Sequence, residues 1–142
     1  MSPPIFRSKL EQLAEFLESL EKFENISYEE FEDDQHYLIE RLLELLVIYA
    51  SDILAGILAQ KKEEMPTTLR TVFLRAGELN ILPAELAECL AQAAGMRNLL
   101  AHAYAKVDLR VIYDSIGPAL RHFSEFVERM SQRNDVIEPR FE

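Results

Sequence analysis

From about Ser27 to Lys62 the chain carries helical periodicity without a break, and a helix of that length has to be the spine of whatever it folds into. Ser27 is suited to the N-cap, and Glu30 three residues on makes a capping box. The acidic run "EEFEDD" follows in the first turns, where carboxylates oppose the positive end of the helix dipole. Lys61 and Lys62 stand at the opposite, negative end. The most apolar stretch, "LLELLVIYASDILAGILA", is interrupted by Glu44 and Asp52, which predicts a buried helix and no membrane span.

Four more segments share the period. The first runs from about Phe6 to Phe23, with Leu10, Leu13, Leu17 and Leu20 three or four apart, and "ENIS" ends it. Pro66 in "KKEEMPTT" blocks continuation of the long helix. "TTLRTVFLRAGELN" forms a short helix closed by Asn80. Pro83 suits the first position of the next helix, which extends to about Lys106. Asp108 caps the last, which reaches about Gln132 and is expected to kink at Gly117 and Pro118. There is no strand-like alternation and no internal repeat. Short connections predict an all-α, up-down bundle of about five helices. Residues 1–132 form a single domain, and residues 133–142 form a polar tail.

Composition narrows the function classes. Apolar residues make up 49% of the 142, enough for one core. The formal net charge of −10 repels nucleic acid at long range and argues against a general coat protein. A local basic pocket survives this argument, because exposed charges are screened within about 10 Å at ordinary salt. Cys89 is the single cysteine, so neither an internal disulfide nor a multi-Cys metal site can form; a reducing cytoplasmic location fits. The N-terminal "MSPPIFRSKLEQ" lacks the apolar core of a signal peptide.

The segment "GMRNLLAHAY" sets Arg97, Asn98, His102 and Tyr104 into a helix otherwise built of Gly, Ala, Leu and Met. On an ideal helix, Leu86, Cys89, Leu90, Ala93, Met96 and Leu100 share an arc, which predicts the core face. Ala87, Ala91, Ala94, Gly95, Ala101 and Ala105 share a second arc. Asn98 and His102 lie within it, one turn apart, with Arg97 at its edge. Such a stripe admits the close approach of another helix, a second subunit or a ligand. A structural role is open for each residue: Asn98 and His102 hydrogen-bonded to a neighbouring helix, Arg97 paired with a carboxylate, Tyr104 in the core.

"RNLLAHAY" combines Arg-x4-His, a polar residue directly after the Arg, and His-x-Tyr, and is followed by "VD". This composite resembles the signature of HEPN domains, and among them the HepT-like toxins of MNT–HEPN toxin–antitoxin modules. "LRTVFLRAGELNILPAELAECLAQAAGMRN" is similar to the family's lead-in, and "ERLLELLVIYASDI" to its preceding long helix, so the resemblance covers roughly residues 27–128. It implies a HEPN-like bundle that dimerises through the motif helix. It implies a ribonuclease toxin of a type VII-like module, a metal-independent endoribonuclease without cofactors. It also implies a cognate nucleotidyltransferase (MNT-domain) antitoxin that silences the toxin by AMPylation of Tyr104.

These residue types suit that chemistry. In metal-free RNA cleavage the ribose 2′-OH attacks the adjacent phosphate, leaving a 2′,3′-cyclic phosphate and a 5′-OH. Imidazole titrates near neutral pH, so His102 can act as base or acid, and a symmetric dimer supplies two. Arg97 can donate a fork of two hydrogen bonds to phosphate oxygens. Asn98 can orient His102 or bind phosphate or ribose. Tyr104 falls seven residues after Arg97, on the same side of an ideal helix, so AMP there would add bulk and negative charge beside the Arg.

Other groupings carry less. His36 stands at helical spacing from Glu32 and Asp33, but a di-metal bundle needs a second Glu-x-x-His, and none exists. His122, beside Arg121, reads as a bundle-surface histidine. Arg70, Arg75, Lys106 and Arg110 are candidates for a basic rim. No Gly-rich phosphate loop or nucleophile elbow is present. The competing reading is a non-catalytic helical module that uses the same surface to bind nucleotide or a partner.

Overall fold

A computed structural model describes the backbone of residues 3–133 apart from 103–107, and side-chain surroundings for residues 4–96 and 108–133. Among the described residues there are six helices and no strand. They are α1 (Pro3–Glu21), α2 (Tyr28–Gln60), α3 (Leu69–Glu78), α4 (Ala84–His102), α5 (Leu109–Asp114) and α6 (Ile116–Ser131). The spine α2 touches each of the other five. α3 and α4 form a tight hairpin, and α1 lies against both α2 and α6.

The expected stripe on α1 is the buried one: Phe6, Leu10, Leu13, Leu17 and Leu20 all face the core. Lys9 Nζ reaches Asp52 Oδ2 at 3.1 Å and ties α1 to α2 across this seam. On α2, Ser27 Oγ accepts the Glu30 N–H at 3.2 Å, as a capping serine should. A π turn at Phe31–Gln35 then inserts one extra residue. In a regular helix Phe31 would align with Leu38, seven residues on. The extra residue moves that alignment to Ile39, so Ile39 is buried beside Phe31 and Leu38 is 50% exposed.

α2 is long and apolar enough to cross a membrane by length and composition. Over half of its most apolar window, 56%, is nevertheless covered by the surrounding helices, as in the core helix of a bundle. It ends with Lys62 in the left-handed region at φ 59°. The Glu63 N–H bonds back to the Leu58 carbonyl, and the Lys62 N–H to that of Ala59. Asn80, at φ 60°, closes α3 with the same pair of bonds, Ile81 to Ala76 and Asn80 to Gly77. α3 opens on a reciprocal capping box between Thr68 and Thr71.

The last predicted helix is two. Asp108 caps α5 by accepting the Arg110 N–H at 2.8 Å. The chain then breaks at Ser115, upstream of Gly117 and Pro118. The position follows from proline's reach. Pro118 has no N–H for the Asp114 carbonyl, and its ring would clash with that carbonyl in a continuous helix. Breaking at Ser115 places Pro118 in the first turn of α6, where a missing N–H costs little. α6 buries Ile116, Ala119, Leu120, Phe123, Phe126 and Met130.

Candidate functional site

Arg97, Asn98 and His102 sit on the C-terminal part of α4, so what positions α4 positions them. The α3–α4 hairpin is close to a backbone-on-backbone contact. A Cβ added at Gly77 would lie 2.6 Å from the Cβ of Ala87. Only small residues fit there, and Ala87, Ala91 and Ala94 are all buried. The Ala stripe is therefore filled from within the chain as far as Ala94. At Gly95 the surroundings open, since a Cβ there would meet none of the described residues within 4 Å.

This changes the expected facing of α4. Leu86 and Leu90 are buried as predicted, but Cys89, Ala93 and Met96 are only half-buried. Together with Gln92 they form one wall of a cleft. Leu43 and Val47 of α2 form its floor, and Ser115, Pro118, Ala119, His122 and Phe123 of the α5–α6 corner form the other wall. The cleft has a volume of about 160 Å³. The stripe Cys89, Ala93, Met96, at i, i+4 and i+7, was the signal in the sequence, but Met and Cys rank as core residues and masked it.

His122 is thus not a plain surface histidine. Its ring is half-buried in the cleft. Burial first, and the neighbouring Arg121 second, push its pKa below the ordinary value, against the opposite pull of Glu125. Neither His122 nor Gln92 has a hydrogen-bond partner among the described residues.

Arg97, Asn98 and His102 lie on one continuous helix with the residues that anchor it. Their side chains, and Tyr104 and Lys106 altogether, lie outside the described residues. Of the other members of the proposed basic rim, two are already engaged with neighbouring groups. Arg75 is held between Glu63 and Glu78, which keep its guanidinium the more firmly protonated. Arg110 lies over the rings of Tyr28 and Tyr113, 4.8 and 5.4 Å from their centroids, and 3.7 Å from Asp114. Its neighbour Tyr113 donates its hydroxyl to the Ile26 carbonyl at 2.7 Å, which fixes this corner of the bundle. Arg70 is exposed.

The acidic start of α2 makes no metal cage. His36 Nδ1 meets Glu40 Oε2 at 3.1 Å, one turn forward, rather than Glu32 or Asp33 behind it. Among the described residues no three His, Cys, Asp or Glu side chains converge as metal ligands would.

Comparison with known proteins places this architecture. The Ribonuclease HepT-like family profile matches residues 10–130. A tRNA nuclease HepT from Aphanizomenon flos-aquae is 33% identical over 133 residues, which cover 92% of this chain and 90% of that protein. The fold matches a tri-AMPylated Shewanella oneidensis HEPN toxin in complex with MNT antitoxin. That match has a TM-score of 0.81 at 20% identity and covers 91% of this chain and 98% of the toxin. A toxin–antitoxin structure with AMP-PNP matches at a TM-score of 0.83 and 17% identity, over 92% and 99% of the two chains. The family match spans nearly the whole bundle, the motif helix included: this chain belongs to the HepT-like ribonuclease family.

Proposed function

We propose that this chain is the ribonuclease toxin of a toxin–antitoxin pair and cleaves RNA without a metal ion. The observation that carries the reading is the composite Arg-Asn-x3-His-x-Tyr in a HepT-like bundle, with its Arg97, Asn98 and His102 on α4. His102 takes the 2′ proton or returns one to the leaving 5′ oxygen. Arg97 binds the phosphoryl oxygens and stabilises the charge that develops on them. Asn98 orients His102 or holds the ribose, and Tyr104 lies alongside the RNA. Two copies meet around the motif helices, so that one His102 serves as base and the other as acid. A second subunit would use α4 around Gly95, where an added Cβ meets none of the described residues within 4 Å.

A nucleotidyltransferase antitoxin encoded with the toxin switches it off by attaching AMP to Tyr104. Negative charge and bulk then stand where RNA must bind. The single, unpaired Cys89 suits a reducing cytoplasm.

The test uses purified chain and RNA in the presence of a chelator. Wild type should cleave, and Arg97→Ala and His102→Ala should lose the activity with an unchanged thermal midpoint. A folded His102→Ala protein that cuts at the wild-type rate would remove His102 from the mechanism. Binding of nucleotide or antitoxin without any cleavage would favour the non-catalytic module. For the switch, intact mass after incubation with antitoxin and ATP should show AMP on wild type and none on Tyr104→Phe.

A further inference from the structure

We propose that the cleft between α2, α4 and α6 is a base-binding subsite, which takes one unpaired nucleobase of the RNA substrate. The inference rests on the ribonuclease reading above, and it adds where the substrate is gripped.

Four features of the cleft define the occupant. Its volume of about 160 Å³ is on the scale of a cavity that holds a single ring system. Its walls are apolar on both sides, with Ala93 and Met96 facing Ala119 and Phe123 over Leu43 and Val47. Among the described residues no carboxylate, ammonium or guanidinium lines it, which disfavours a phosphate or an ionised ligand. Two hydrogen-bonding side chains without partners among the described residues, His122 and Gln92, border this apolar slot. An apolar slot with a few polar groups at its border matches a flat heterocycle with a polar edge.

Position supplies the link to RNA. The cleft's last residue on α4 is Met96, bonded directly to Arg97. In the ribonuclease reading, a nucleotide whose phosphate is held by Arg97 is the one whose base would enter this neighbouring cleft. Stacking a base into an uncharged slot also gives a protein of net charge −10 a way to hold RNA that does not depend on long-range attraction. Burial, with Arg121 second, lowers the pKa of His122 and so favours the neutral ring, which offers one donor and one acceptor to a base edge.

The experiment separates grip from chemistry. A fluorescently labelled single-stranded RNA of mixed sequence is titrated into the non-cleaving His102→Ala protein, and the same RNA is used for cleavage kinetics with His102 intact. Ala93→Leu fills the slot from its half-buried wall, and Gln92→Ala removes an exposed amide that folding does not need. Ala93→Leu should weaken RNA binding and raise KM at least about tenfold, the order of one lost stacking contact. Gln92→Ala should weaken both about fivefold, the order of one hydrogen bond. AMP transfer to Tyr104 by the antitoxin should be unchanged in both.

RNA affinity and KM that stay at wild-type values in both variants, with cleavage intact, would overturn the subsite and leave the ribonuclease reading standing. RNA binding that depends on the slot in a chain that never cleaves would do the reverse. A loss of AMP transfer with unchanged RNA affinity would assign the slot to the transferase's adenine and overturn the RNA assignment.

Discussion

Gly77→Ala tests whether the motif helix is held by direct contact of the α3 and α4 backbones. The new Cβ would stand 2.6 Å from Ala87 Cβ, about 0.8 Å inside the 3.4 Å at which ordinary contact begins. Both carbons are attached to helix backbone, so no rotamer change relieves the overlap and the helices must separate. Overpacking of this kind costs about 1–3 kcal/mol. Alanine's better helix propensity returns about 1 kcal/mol. The expected net loss is roughly 0–2 kcal/mol, a fall in thermal midpoint of up to about 6 °C. Thermal unfolding by circular dichroism reads it directly.

The control is the same change made with Ala87→Gly. The next contact is then the Ala84 Cα at an ordinary 3.8 Å, so Gly77→Ala should stabilise in that background by about 1 kcal/mol. A reversal of sign between the two backgrounds is the signature of the contact. Stabilisation by Gly77→Ala in both would refute the close approach, and with it the account of how α4 is positioned.

Three further outcomes follow from the fold. His122 has a lowered pKa when folded, so the unfolded chain takes up its proton first as pH falls; the group's contribution is complete above about 6.5 and is lost below it. Urea midpoints at pH 7.5 and 5.5 should therefore converge in His122→Leu relative to wild type, and an unchanged difference would show that His122 does not titrate as described. Lys62→Gly should raise stability by about 1 kcal/mol, because Lys62 holds a left-handed backbone that glycine adopts freely; a loss measured by the same urea titration would contradict the assigned helix end. Deleting Asp34 from the π turn should convert it to regular helix with Phe31 and Ile39 still on one face, at a cost below about 1 kcal/mol. Collapse of the thermal midpoint on that deletion would show that the turn itself, and not its phase correction, holds Phe31 in place.

What could be read from the chain, and what could not, divides along physical lines. Helix ends were legible because capping is local chemistry: Ser27, Asn80 and Asp108 each act where their side chains predict. The π turn was not, because Leu38 and Ile39 are both apolar and periodicity cannot tell which of them faces in. The break at Ser115 was misplaced at Gly117 and Pro118, since proline acts on the carbonyl four residues before it.

The facing of α4 was partly inverted for a different reason. Hydrophobicity favours Met96 and Cys89 as the inside residues, but the spacing set by Gly77 admits only alanine between α3 and α4. The leftover face became the cleft with His122, a tertiary arrangement that joins residues more than twenty positions apart. The motif itself was legible as a pattern of residue types with a family resemblance, and the family is confirmed across residues 10–130.

Metal-free cleavage by His102 leaves its mark on the chemistry of the RNA ends. RNA cut in excess chelator should carry 2′,3′-cyclic phosphate and 5′-hydroxyl ends, in amounts that vanish with His102→Ala while the folded fraction is unchanged. Ends bearing 5′-phosphate, or cleavage that requires an added divalent cation, would contradict the account.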